Sequence, residues 1–290
     1  MSNEEFQLFS GGKLKQFSPT MGSTIRRCQV QAGFRYIHGL KKPPQRFLVV
    51  GSSAHKAAEH GWTAIGGGTK TSPAEIGDVA VAEYERVVGE TNAVIDYEGT
   101  DPVKAHSEDK QMLGRVMPEF WSQLGSSVRV STDIPPESVI DVTMPGGYTL
   151  KAILDVVAED KDHKLTIHDL KTAKKKWPAG KEAEELQSIY YPYALSAATS
   201  KPVIGMSYLV AAANKITPSI EDRRVEIRPE TQRKIPMITD AFVAGYEALH
   251  RAGGLGVPAW SKMVCSWCGF RKECRDAFGV EPPGGGGESE

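Results

Sequence analysis

The chain has 290 residues, 40% of them hydrophobic and 24% charged, which suits one large soluble domain or two small ones with a buried core. A net charge of −1 excludes a whole-protein basic field, so any nucleic-acid binding has to use local patches. No apolar run reaches the length of a membrane span and the N-terminus lacks a signal-peptide pattern, so a cytoplasmic protein is expected.

Residues 18–40 read as a helical segment carrying Cys28 and closed by Pro43-Pro44. A second helix is expected from about Gly51-Ser52-Ser53 to the run Gly66-Gly67-Gly68. Apolar spacing at Val79, Val81 and Val87, and at Met112, Val116 and Phe120, predicts helices over 73–91 and 102–124. Strands follow at 128–130 and 139–142. Beyond the turn Pro145-Gly146-Gly147, residues 148–157 and 164–171 form an expected hairpin. Then come a helix at 182–198, strands at 203–211 and 222–227, and a long helix at 229–252 stopped by Gly253-Gly254. The Pro/Gly-rich tail 279–290 is expected to be disordered. This order indicates an α/β core with a helical N-terminal elaboration.

The hairpin carries the first candidate chemistry. Side chains alternate along a strand, so Asp169 and Lys171 share a face with Leu165 and Ile167. Asp155 sits among Ile153, Leu154, Val156 and Val157. A carboxylate in such apolar company is costly unless paired or metal-bound. Two carboxylates on adjacent strands repel, and a divalent cation relieves that repulsion while lowering the pKa of bound water. An amine beside them can stabilise charge developing on a phosphate. Asp-x-Lys alone is common and fits a surface ion pair equally well.

With their order, these residues resemble the core of the PD-(D/E)xK nuclease superfamily, and most closely its RecB-like branch. The Leu154-Asp155 strand is followed by Ile167-His168-Asp169-Leu170-Lys171-Thr172. Upstream, Gly51-Ser-Ser-Ala-His55-Lys-Ala-Ala-Glu59 is similar to the branch's G-x-x-x-H-x-x-x-E helix. Downstream, Gln187-Ser-Ile-Tyr-Tyr191 is similar to its Q-x-x-x-Y helix. The resemblance implies a restriction-endonuclease-like core, a mixed central sheet flanked by helices. It implies Asp155, Asp169 and Lys171 as catalytic residues, and His55, Asp155 and Asp169 as ligands of Mg2+ or Mn2+. Glu59 would lie behind the ligands, with Gln187 and Tyr191 positioning substrate. One departure is visible: the branch often has Gly three residues before the first Asp, and here that residue is Ala152.

There are four cysteines, Cys28, Cys265, Cys268 and Cys274, and three fall within ten residues. Such spacing points to a metal or cluster rather than disulfides, and four thiolates can hold tetrahedral zinc or a [4Fe–4S] cluster. One Cys before the His-helix and three after the last core helix resembles RecB-like nucleases of the AddB and CRISPR-associated exonuclease kind. That resemblance implies a C-terminal [4Fe–4S] region, with Zn2+ as the alternative.

The expectation is therefore a single RecB-like nuclease domain over 1–278. It would be a metal-dependent exonuclease acting on single-stranded DNA or DNA ends in recombination, repair or CRISPR adaptation, and would work in the host cytoplasm if phage-encoded. Arg26, Arg27, Lys174, Lys175 and Lys176 are candidate phosphate contacts, and a third basic cluster is Arg271, Lys272 and Arg275. The competing readings are a non-catalytic RecB-like scaffold that binds DNA, and a zinc-containing DNA-binding protein.

Overall fold

The computed structural model describes residues 8–90, 95–97, 99–214 and 217–284. In chain order it contains β1 (Phe9–Ser10), β2 (Lys13–Leu14), β3 (Gln16–Phe17), α1 (Pro19–Arg27) and α2 (Gln29–Ala32). A π-helical turn at Gly33–Ile37 follows α2. The next helices are α3 (Arg46–Gly66), α4 (Pro73–Glu90) and α5 (Pro102–Gln123). Four strands come next, β4 (Ser138–Thr143), β5 (Thr149–Leu154), β6 (Val156–Glu159) and β7 (Leu165–Ala173). After α6 (Lys181–Glu184) and α7 (Gln187–Ala198) lie β8 (Val203–Ala212) and β9 (Ser219–Val225). The last helices are α8 (Pro229–Arg251), α9 (Lys262–Cys265) and α10 (Arg271–Phe278).

The chain divides into two compact units. Unit 1 comprises 1–42, 141–151 and 233–290; unit 2 comprises 43–140 and 152–232.

Unit 2 is built on a sheet of order β6-β7-β8-β9. β6 and β7 are the expected antiparallel hairpin, with Val156 opposite His168. β7 and β8 run parallel, joined through α6 and α7, and β9 closes the edge antiparallel to β8. The sheet is thus mixed. Val156, Leu170 and Leu209 join a core completed by Val49, Trp62, Ile76, Tyr84, Leu113, Phe120 and Trp121 of α3, α4 and α5. By strand alternation their neighbours Asp169 and Tyr208 turn to the opposite side. This is the restriction-endonuclease-like α/β architecture that the sequence suggested.

Several boundaries differ from the sequence reading: the helix expected at 182–198 is split into α6 and α7, the strand expected at 222–227 lies at Ser219–Val225, and three more differ as follows. α3 starts at Arg46, five residues before Gly51. The hydroxyls of Ser52 and Ser53 do not cap it; they bond back to the Val49 carbonyl at 3.0 and 2.9 Å, inside the helix. The expected strand 148–157 is interrupted at Asp155, between β5 and β6. The expected strand 128–130 amounts to one bridge, Val130 opposite Ala158.

Unit 1 gathers both ends of the chain. β3 pairs in parallel with β5, Gln16 opposite Thr149. The Tyr246 hydroxyl donates to the Met21 carbonyl at 2.9 Å, and Glu247 accepts from Lys13 Nζ at 2.9 Å and from the Leu14 amide at 3.3 Å. α8 stops at Gly253 and Gly254, both with positive φ, as expected of a glycine C-cap. Of the tail expected to be disordered, Gly279–Gly284 is described. Arg271 donates to the carbonyls of Pro282 and Pro283 at 2.7 and 3.0 Å and pairs with Glu281 at 2.8 Å. Residues 285–290 lie outside the described residues.

Candidate active site

The hairpin register places Asp155, one residue before Val156, opposite Asp169. The interruption at 155 breaks the alternation, so Leu154, Asp155, Val156 and Val157 are all buried. The Leu170 amide donates to Asp155 Oδ2 at 2.6 Å and fixes the carboxylate. Asp169 is 1% exposed. Its Oδ2 lies 2.6 Å from Lys171 Nζ as an ion pair, yet neither carboxylate oxygen has a well-aligned hydrogen-bond donor. Burial drives the Asp169 carboxyl up to about 6, with the Lys171 charge opposing and the Asp155 charge reinforcing the shift. Lys171 is held above the usual lysine range, because Asp169 and Asp155 outweigh the desolvation that acts to lower it. Its ammonium also sits 5.7 Å from the centroid of the Tyr208 ring.

α3 brings His55 to this centre. His55 Nδ1 is 3.2 Å from Asp155 Oδ2 and 3.8 Å from Glu137 Oε1. Desolvation alone would lower its pKa, but the Asp155 charge and hydrogen bonds to Asp155 and Glu137 raise it to about 10. His55, Glu137 and Asp155 each offer a ligand atom within 4.8 Å of the others. Imidazole with two carboxylates is a donor set suited to a divalent cation. Asp169, expected as a ligand with His55 and Asp155, is not among the three; Glu137 takes that place in the donor set.

Glu137 is a site residue that the sequence reading missed. It lies far from Asp155 in the chain but is fastened to it, its amide donating to the Asp155 carbonyl at 3.0 Å. Its φ of 57° is a left-handed conformation that a non-glycine side chain seldom adopts. The available signal was an acid directly after Pro135-Pro136 at the head of a strand.

The other expected residues divide. Gln187 opens α7 and donates from Nε2 to the Tyr191 hydroxyl at 2.7 Å. Burial, then the charge of Asp169, pushes the Tyr191 phenol well above its usual pKa, which places α7 beside the carboxylates. Glu59, expected behind the ligands, instead accepts from Lys56 at 2.7 Å. Lys174 and Lys175 are exposed, whereas Lys176 pairs with Glu221. Arg26 and Arg27 occupy the last turn of α1 in unit 1. In the third basic cluster, Arg271 and Arg275 are drawn to Glu281.

All four cysteines belong to unit 1 and are free thiols. They line one small cavity of about 20 Å3 with Val30, Phe34 and Phe270. Cys28 sits at the break between α1 and α2, Cys265 ends α9, and Cys274 lies on α10. Burial, then the charges of Cys28, Cys268 and Cys265, pushes the Cys274 thiol up to about 11.

A mixed sheet, a buried Asp-x-Lys and an adjoining histidine–carboxylate donor set define the class of metal-dependent nucleases. The profile of the PD-(D/E)XK nuclease superfamily matches residues 16–275, and the chain belongs to that superfamily. Among solved structures it is similar to a protein from Eubacterium rectale described as a candidate exonuclease. That likeness has 12% identity and a TM-score of 0.51, covering 98% of this chain and 96% of the other. It is also similar to SSO0001, with 12% identity and a TM-score of 0.36 over 86% of this chain and 94% of that one. No curated protein matches the chain in sequence. Among the described residues, no helix is long and apolar enough to cross a membrane.

Proposed function

We propose that the protein is a metal-dependent DNA exonuclease of the RecB-like branch, with a [4Fe–4S] cluster in unit 1. The observation that carries the catalytic reading is the buried Asp169 carboxylate, poor in hydrogen-bond donors, 2.6 Å from Lys171. A scaffold has no need of so costly a group. His55, Asp155 and Asp169, joined by Glu137, are the residues that would hold Mg2+ or Mn2+. A cation bound there supplies an activated water and neutralises phosphate charge. Asp155, pinned by the Leu170 amide, presents a fixed ligand oxygen. The Lys171 amine, confined between Asp169 and the Tyr208 ring, faces charge that develops on the phosphate. Gln187 and Tyr191 form one rigid hydrogen-bonded pair for orienting substrate. The name given to the Eubacterium rectale protein agrees with exonucleolytic action.

For the thiols, the resemblance of their order in the chain to that of AddB-type nucleases favours the cluster over zinc. An anaerobic preparation should be brown and absorb near roughly 400 nm. A colourless protein with stoichiometric zinc would reject the cluster.

The catalytic reading is tested on end-labelled linear and circular DNA in Mg2+ or Mn2+. Cleavage of linear but not circular substrate is expected, and none by Asp169→Ala or Lys171→Ala with folding preserved. Wild-type activity in either variant would misplace the active site.

A further inference from the structure

The segment that follows α10 turns back over the four thiols of unit 1. Gly279 ends α10 with a φ of 67°, and its amide donates to the Arg275 carbonyl at 2.7 Å. The chain then runs through Val280-Glu281-Pro282-Pro283-Gly284 outside any helix or strand. Pro282 is buried and lines the small cavity shared by Cys28, Cys265, Cys268 and Cys274. At Gly284, where φ is 89°, a Cβ would stand 3.0 Å from the Lys262 carbonyl oxygen and 3.3 Å from Ser266 Cβ. The far end of this strap is therefore seated on α9, the helix that ends at Cys265.

Two consecutive prolines have no N–H to place in a ladder, so the strap is held through its carbonyls. One side chain holds them. Arg271 Nη2 donates to the Pro282 carbonyl at 2.7 Å and to Glu281 Oε1 at 2.8 Å. Its Nη1 donates to the Pro283 carbonyl at 3.0 Å and to the Cys265 carbonyl at 3.2 Å. Arg275 adds a longer contact to Glu281 at 3.4 Å. An arginine shared among four acceptors of its own unit is a fastening and not a phosphate contact. It joins the strap to the residue whose thiol is least accessible, since Cys265 is buried and the other three cysteines are part-exposed. A short irregular segment fastened by one side chain can open without unfolding the helices beneath it, because local opening costs less than global unfolding.

We propose that residues 279–284 are a lid on the Cys265 side of the thiol site and that Arg271 is its latch, so that release of the strap lets metal enter and leave. The inference rests on the reading of the thiols as a metal site and holds for a cluster or for zinc.

The test is the rate at which the full chain, isolated anaerobically, loses iron or zinc to excess chelator. Wild type is compared with Arg271→Gln, which removes the latch, and with Gly284→Ala, which keeps the latch and pries the far end from α9. Both variants should release metal about tenfold faster than wild type, the scale of one hydrogen bond's net contribution. Urea below the unfolding transition should change these rates little, because a local opening exposes little surface. Rates equal to wild type, rates that climb with urea as steeply as global unfolding, or a variant that retains no metal at all overturns the lid. Wild type isolated with neither iron nor zinc rejects the metal reading. Iodoacetamide labelling resolved by peptide mass spectrometry then judges the strap by itself: Cys265 should react more slowly than Cys274 in wild type and catch up in both variants, and equal rates in wild type overturn it.

Discussion

At the scale of single residues, protons and the cation compete for the same site. With His55 raised to about 10, its imidazole carries a proton at neutral pH before a cation arrives, and ligation requires the neutral ring. Each pH unit gained below 10 increases the neutral fraction about tenfold, so the Mn2+ affinity should rise steeply from pH 6 to 9. Calorimetric titration in buffers of different ionisation enthalpy should show about one proton released per ion. His55→Ala should flatten the slope, and a pH-independent affinity in the wild type would remove His55 from the ligand set. Glu137→Gln should weaken Mn2+ binding by about tenfold or more, with the fold intact, as measured by the same titration. The burial of Asp155 and Asp169 was legible in the sequence because a carboxylate is conspicuous in apolar company. Glu137 was not, since its place beside Asp155 depends on a left-handed backbone residue and a long-range amide bond.

At the scale of elements, close packing explains what motif spacing does not. Gly61 lies on the motif helix α3, beyond His55 and Glu59. A Cβ there would meet Trp121, at 2.6 Å from its Cζ2, and Ile76 Cδ1 at 2.7 Å. Trp121 cannot easily give way, because it is buried and donates from Nε1 to the Thr71 carbonyl at 3.0 Å. Gly61→Ala gains about 1 kcal/mol of helix propensity but incurs overpacking of about 1–3 kcal/mol. A net loss of stability is expected in thermal or urea unfolding, and a stabilised variant would contradict the packing. The start of α3 escaped sequence reading for a related reason. Gly51-Ser52-Ser53 has the composition of a helix start, while the burial of Val49 and Val50 against the core carries the helix back to Arg46.

At the scale of the molecule, the residues of the two proposed centres belong to different units. His55, Glu137, Asp155, Asp169, Lys171, Gln187 and Tyr191 all belong to unit 2, and the four cysteines to unit 1. With the proposed cluster in place, Cys268→Ser should lose its visible absorption and iron while Mn2+ titration of the carboxylate site still shows binding. Loss of both together would contradict that separation. The division was not legible in sequence, because unit 1 is assembled from three stretches, none of which carries a linker composition.

That interleaving also orders events during synthesis. Every residue of unit 2 has been synthesised by Gln232, whereas unit 1 waits for its last stretch, 233–290. Lys13 and Glu247, 234 residues apart, are among its closing contacts, the kind that forms late because it carries the largest loop-closure cost. A nascent chain thus carries all of unit 2 before α8, α9 and α10 can complete unit 1.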